Sequence, residues 1–439
     1  MVAKQTSRIT GDLKTKNMKL KKRYILFILA LLLINFSDAQ QAKSVILIYL
    51  EGGPAQTDTF DPKPETSRDY FGLLKGVSQT NIPAIQLGEK LPLLATHADK
   101  FTLIRSMTHG VFAHETAHYA MITGDQTKGA FVYPSFGSVI AYKLKDTYKG
   151  ILPPYISVVN ANTRFNEGGF LGNQYKSFDT NGQPEKGIFE VDGIVNNLVN
   201  PEKFTSRNEL LNAFENLNTV SEKAILQNLK TLRAKDIDLI GGEVRKVFDL
   251  STESTAMREK YGMSRIGQSC LVARKLVQAG VPFISVRTTG WDTHKAHFQR
   301  MNEMLPELDK ALSTLLADLS EKGLLENTIV LCGGEFGRTP KVLWEAPWNG
   351  GRAHFGTAFS YLVAGGGFKS SQVIGKTDKT GENILERKVF PCDLIATVYK
   401  LMGIDPNGTL QHPTEGALPM LPSLGKSGQS NGILLELIK

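Results

Sequence analysis

The sequence predicts an α/β chain, an open three-layer αβα sandwich around a mostly parallel central sheet. Three observations carry that expectation. Short apolar, β-branched runs recur along the chain. They are continuously apolar rather than alternating, as strands covered on both faces are. Longer stretches with apolar residues at helical spacing separate them.

The runs read as strands are "SVILIYL" (44–50), "FTLIRSM" (101–107), "YISVV" (155–159), "VPFISVR" (281–287), "TIVLCGG" (328–334) and "FSYLVAGGG" (359–367). Helical patterns fall at 266–279, 302–321 and 391–402. Within 302–321, Met304, Leu305, Leu308, Leu312, Leu315, Leu316 and Leu319 form one stripe. Residues 160–260 differ: Asn, Gly and Lys are frequent, then a charged helical run follows from about 205 to 248. That stretch is read as an insertion capping the sheet, inside a single domain spanning 40–439.

Charge is uneven along the 439 residues. The formal net charge is +8, but residues 1–39 hold eight Lys/Arg and two Asp/Glu, leaving 43 basic and 41 acidic residues beyond them. No basic tract remains to argue for a nucleic-acid partner. Residues 1–39 read as a secretory signal: "KLKKR" is its charged part, "YILFILALLLINF" its apolar part, and Ser37-Asp38-Ala39 a cleavage site. Met18 begins a signal of conventional length, so residues 1–17 read as a mis-called upstream extension. An apolar run this short falls below the ~20 residues needed to span a bilayer. The mature protein is therefore expected to be exported, periplasmic or extracellular, with no stable membrane span. Cys270, Cys332 and Cys392 make an odd number and no disulfide framework, so they are expected to be buried thiols.

Ligand sites in open α/β sheets lie at the carboxyl ends of the strands. Six of the eight histidines (His109, His114, His118, His294, His297 and His354) follow strands in this way. Carboxylates accompany them at Glu51, Asp58, Asp61, Glu115, Asp292 and Glu335. Imidazoles and carboxylates drawn from several strand ends are the ingredients of divalent-metal sites. Glu51, Asp292, His294, Glu335 and His354 supply mixed N/O donors suited to zinc or manganese, as one or two ions. Arg338 and Arg352 are candidates to clamp an anionic oxygen pair. The Gly-Gly steps at 52–53, 333–334 and 350–351 permit close approach of backbone to a ligand. Blander readings stand beside these. Asp58 and Asp61 serve as turn residues, His118 faces the core, and His297 sits on the solvent face of the following helix. "CLVAR" (270–274) lies inside a helical pattern and is read as a decoy for a sulfatase nucleophile segment.

"ILIYLEGGPAQTDTFDPKP", "HETAHYAMITG", "GWDTH", "GEFGRTPKV", "GRAHF" and "DLIATVYKLMGIDP" together resemble the bacterial domain of unknown function 1501, over about residues 43–406. That family is labelled sulfatase-like and placed in the alkaline phosphatase superfamily. The resemblance implies an alkaline-phosphatase-like sandwich with a metal site at its strand ends. It places the superfamily's first-strand carboxylate at Glu51, its Asp/His pair at Asp292 and His294, and its final histidine at His354. The next Asp-His pair becomes Glu335-Phe336, keeping the carboxylate and losing the histidine. The superfamily's nucleophilic threonine falls at His114, which has no hydroxyl; Thr116 is the weaker substitute. His114 is then a metal ligand or a covalent nucleophile, or else water activated by the metal attacks.

Together these readings give an exported metal-dependent hydrolase of phosphate or sulfate esters. The alternative is a catalytically degenerate relative that binds an anionic glycan or a partner. Substrate identity and oligomeric state stay open.

Overall fold

In the computed structural model, residues 41–127, 129–159, 168–186, 191 and 243–439 are described. The signal segment and most of the capping insertion therefore lie outside the described residues. The chain divides into two units, Met1–Gln41 and Ala42–Lys439; the sheet and the site belong to the second.

Eight strands form one sheet: β1 (Ser44–Leu50), β2 (Phe101–Met107), β3 (Tyr155–Val158), β4 (Phe178–Asp179), β5 (Phe283–Thr288), β6 (Thr328–Gly333), β7 (Phe359–Ala364) and β8 (Gln372–Ile374). Their order is β8-β2-β7-β6-β1-β5-β3-β4. β1 runs parallel to both β5 and β6, and β3 is parallel to β5 and to β4. β7 alone is reversed, antiparallel to both β2 and β6. Its apolar sequence gives no hint of this, because burial on both faces, not strand direction, produces a continuously apolar run. The mostly parallel sheet is the one expected. β4 and β8 were not anticipated; both are short, partly exposed edge strands without the apolar signature.

The principal helices are α1 (His114–Thr123), α2 (Phe136–Lys143), α3 (Arg265–Gln278), α4 (His297–Glu321) and α5 (Pro391–Leu401). β1 shows how the three layers arise. Ile46, Ile48 and Leu50 point into a core shared with Leu271 and Leu276 of α3 and with Leu305, Leu312 and Leu319 of α4. The alternate residues Val45, Leu47 and Tyr49 point into a second core with Met121 of α1, Val139 of α2 and Leu394 and Val398 of α5. Every residue of β1 is buried. Ser254 caps a short helix, Thr255–Tyr261, and Ser264 caps α3, accepting from Met257 N–H and Gly267 N–H. The cysteines are free and buried as expected, and burial pushes the Cys270 thiol up to about 12. Arg274 pairs with Asp318 at 2.8 Å and Glu253 at 2.9 Å, so "CLVAR" is helical core, as read. No described helix is long and apolar enough to cross a membrane.

Candidate metal centre

Neighbouring strand ends deliver the candidate residues to one place. β2 ends at Met107, and the chain passes His109 to reach His114, the first residue of α1. Asp292 and His294 follow the end of β5, and Glu335 follows β6 by two residues. Gly337–Arg338 then pairs antiparallel with His354–Phe355, setting His354 opposite Arg338. Because β5 and β6 flank β1 and run parallel to it, the loops leaving all three emerge at the same edge of the sheet.

Four side chains converge there. His114 Nε2 lies 3.3 Å from Asp292 Oδ2. His294 Nε2 and His354 Nε2 lie 3.1 and 3.2 Å from Asp292 Oδ1, and 2.9 Å from one another. Among the described residues, donor atoms of His114, Asp292 and His354 all fall within 4.8 Å of each other. The group faces solvent, with the Asp292 side chain 44% exposed and that of His354 20%.

What lies behind each ring assigns its tautomer. His114 Nδ1–H donates to Glu335 Oε1 at 2.6 Å, and His354 Nδ1–H donates to the Phe112 carbonyl at 2.6 Å. In their neutral forms both rings then leave Nε2 unprotonated toward Asp292, and a protonated His114 donates Nε2–H to it. A carboxylate or carbonyl behind a histidine is how metal-ligating imidazoles are oriented. The Glu335 hydrogen bond raises His114 above the ordinary histidine value, against the effect of burial. Burial lowers His294, and Arg338 adds to that against the pull of Asp292. Asp292 stays below the usual carboxylate range because Arg338 outweighs the upward push of burial.

These donors fit a divalent cation. A tetrahedral shell with donors at ~2.0–2.1 Å from its centre has edges of ~3.3–3.4 Å, close to the distances from Asp292 to His114, His294 and His354. Without a cation, several unprotonated nitrogens and a carboxylate would crowd together with only partial hydrogen bonding. Among the described residues, His294 Nδ1 is buried without a hydrogen-bond partner. Mixed nitrogen and oxygen donors suit zinc or manganese better than calcium.

The other candidates fall elsewhere, and the physical reasons are visible. Glu335 is almost fully buried behind His114 and accepts from Gly52 N–H at 2.9 Å. It stands behind His114, which takes the place facing Asp292. Glu51 forms an ion pair with Arg287 and does not enter the group. Arg352 is fully buried; its guanidinium donates to the carbonyls of Thr339, Pro340 and Tyr70, which leaves it no role as an anion clamp at the surface. Arg338 is equally buried, donating to the Gly52, Gly53 and Arg352 carbonyls and to Asp292 Oδ1. It orients Asp292 instead of facing solvent.

His109 is buried, its Nε2–H donating to the Glu335 carbonyl at 2.6 Å while its Nδ1 accepts from Val111 N–H. His118 meets the Tyr49 hydroxyl at 2.7 Å in the core. Thr116 is exposed, its hydroxyl donating to the Ala113 carbonyl. In two of the glycine steps, one residue closes directly on backbone near the site. A Cβ on Gly52 would stand 2.2 Å from Asp292 N, and one on Gly351 would stand 1.8 Å from the His294 carbonyl oxygen. Sequence reasoning missed the buried partnership of Asp58 and His297, because a histidine opening an amphipathic helix looks solvent-facing. His297 is in fact fully buried, 2.7 Å from Asp58 Oδ2.

A family model described as "Protein of unknown function (DUF1501)" matches residues 42–420. No curated protein matches the chain. Similar solved structures include PsFucS1 sulfatase from Pseudoalteromonas sp., at 14% identity over 84% of this chain and 70% of that one, TM-score 0.36. The lipoteichoic acid synthase LtaP from Listeria monocytogenes is 12% identical over 87% of this chain and 75% of that one, TM-score 0.35. Alkaline phosphatase from the Antarctic bacterium TAB5 is 11% identical over 83% of this chain and 99% of that one, TM-score 0.32.

Proposed function

We propose that this chain, which belongs to the DUF1501 family, is an exported, divalent-cation-dependent hydrolase of phosphate or sulfate esters. The observation that carries the reading is the solvent-facing group of His114, Asp292, His294 and His354, with two of its imidazoles fixed from behind so that their Nε2 atoms face Asp292. These four residues would hold the cation, zinc or manganese. When bound, it supplies Lewis-acid polarisation of an ester oxygen and activation of water.

The protein's own residues do the rest. Glu335 keeps His114 in the Nδ1–H tautomer, and the Phe112 carbonyl does the same for His354. Arg338 holds Asp292 ionised and aimed. Phe336 stacks on the His354 ring at 4.6 Å and 27°, and Trp348 stands 5.7 Å from the His294 ring. Together these rings wall the site beside an anionic ester.

The reading is tested first by elemental analysis of the purified protein. It requires at least one tightly held transition metal, lost on substitution of His294 or His354 by Ala. A folded, metal-free protein that takes up no added zinc or manganese overturns it. Hydrolysis of aryl phosphate monoesters, diesters or aryl sulfates, abolished by chelator, then establishes the reaction. Metal without hydrolysis across such a panel favours the degenerate binding protein.

A further inference from the structure

A second His/Asp cluster lies beneath the site and is closed to solvent. Asp58 and His297 are both fully buried, and His297 Nε2 sits 2.7 Å from Asp58 Oδ2. The other nitrogen, His297 Nδ1, is 2.6 Å from the Thr293 hydroxyl. Arg352 Nε stands 3.2 Å from the same Asp58 oxygen. Burial pushes the Asp58 carboxyl up, but Arg352 and the His297 hydrogen bond outweigh it and hold the group below the usual carboxylate range. Burial also lowers His297. The network is then an ionised Asp58 accepting His297 Nε2–H, and a neutral His297 accepting the Thr293 O–H at Nδ1.

The position of Thr293 is the point. It lies between Asp292 and His294, yet is 3% exposed. Its side chain reaches inward while those of its neighbours reach the site. Ala296, at a φ of 48°, then turns the chain into α4 and delivers His297 beneath Thr293; a non-glycine residue in the left-handed region needs surrounding structure to hold it there. Arg352 closes the arrangement on the other side. Its backbone N–H donates to the Thr293 carbonyl at 3.2 Å, and it precedes His354 by two residues. One buried carboxylate therefore ties the segment bearing Asp292 and His294 to the segment bearing His354.

We propose that Asp58 is a positioning residue: through His297–Thr293 on one side and Arg352 on the other, it sets the spacing of Asp292, His294 and His354 for a divalent cation. The proposal rests on the metal-site reading above. The partners of a metal's ligands typically account for 10–100-fold in affinity, and Asp58 acts one bond further out on two ligand segments at once.

The test compares the full chain with its Asp58→Asn and Thr293→Val variants. Zn2+ affinity is measured by chelator competition at a temperature where circular dichroism shows all three folded, and the Co2+ visible spectrum reports ligand geometry. The expected result is a roughly 10-fold or greater loss of Zn2+ affinity in Asp58→Asn, a smaller loss in Thr293→Val, and altered Co2+ bands in both. If Asp58→Asn does not fold, Thr293→Val decides alone, since it removes one hydroxyl and leaves the Asp58–Arg352 pair intact. Unchanged affinity and Co2+ bands in the folded variants overturn the positioning role while leaving the metal site standing. Failure of the unsubstituted chain to bind Zn2+ or Co2+ overturns the metal reading itself, and the positioning role with it.

Discussion

Two His/Asp clusters share the stretch "WDTHKAHF" and have opposite fates. Asp292 and His294 face solvent, their side chains 44% and 33% exposed. His297, three residues on, is fully buried against Asp58. The residue types are the same; the surroundings differ. In the outer cluster several donors point at one another with few hydrogens between them, an arrangement a cation completes. In the inner cluster the groups pair with one another out of water: carboxylate with Arg352, imidazole with carboxylate, hydroxyl with imidazole. Buried and paired across distant segments, the inner cluster is placed as a strut; open to solvent, the outer one is the ligand set proposed above.

The largest effect that would break this contrast is removal of outer ligands. The double variant His294→Ala/His354→Ala is expected to lose stoichiometric zinc or manganese, measured by elemental analysis, with little change in the denaturation midpoint of the metal-free protein, because both side chains are partly exposed. A large fall in metal-free stability would mean that the outer cluster is structural too. Next comes the inner cluster. Removing the hydrogen-bond partner of a buried charged group costs about 1–3 kcal/mol or more, so His297→Ala is expected to lower urea stability on that order even without metal. A loss under about 1 kcal/mol would show that Arg352 alone satisfies Asp58.

Glu335 sharpens the boundary between the two, since it is buried like the inner set but hydrogen-bonds to His114 of the outer one. Glu335→Gln is expected to weaken Zn2+ binding about 10–100-fold, read by chelator competition, with the protein still folded. The smallest effect concerns acid. Burial lowers His109 from 6.5 to about 4, so between those values the unfolded chain binds a proton that the folded one refuses. Its contribution is fully present above about pH 6.5 and shrinks as pH falls toward 4, with a limiting slope of ~1.4 kcal/mol per pH unit. His109→Gln is expected to flatten that part of the stability–pH curve, measured by urea midpoints at pH 7 and pH 5. An unchanged curve would place the acid sensitivity elsewhere.

Much of the fold was legible beforehand because burial on both faces leaves a one-dimensional trace. The runs at 44–50 and 101–107 coincide with β1 and β2, and the stripe in 302–321 falls within α4. Edge strands such as Gln372–Ile374 left no trace, since nothing covers them fully. Of the site, the strand-end rule gathered His114, Asp292, His294, Glu335 and His354 into one list. It did not rank them. Arg352 and Arg338 look like anion binders in a sequence, because guanidinium groups are rarely buried; here backbone carbonyls occupy them. Glu51 looked like a ligand for the same positional reason as Glu335, and Arg287 claims it.

The sequence by itself determined which segments become strands and helices, and that imidazoles and carboxylates collect at one edge of the sheet. Periodicity and strand ends are local properties, written in consecutive residues. Only the tertiary structure decided which of those groups meet at the open site, which stand behind them and which are buried beneath. That choice depends on what stands within about 3 Å across the chain: Asp58 is 239 residues from His297, and no pattern within either segment encodes the other's approach.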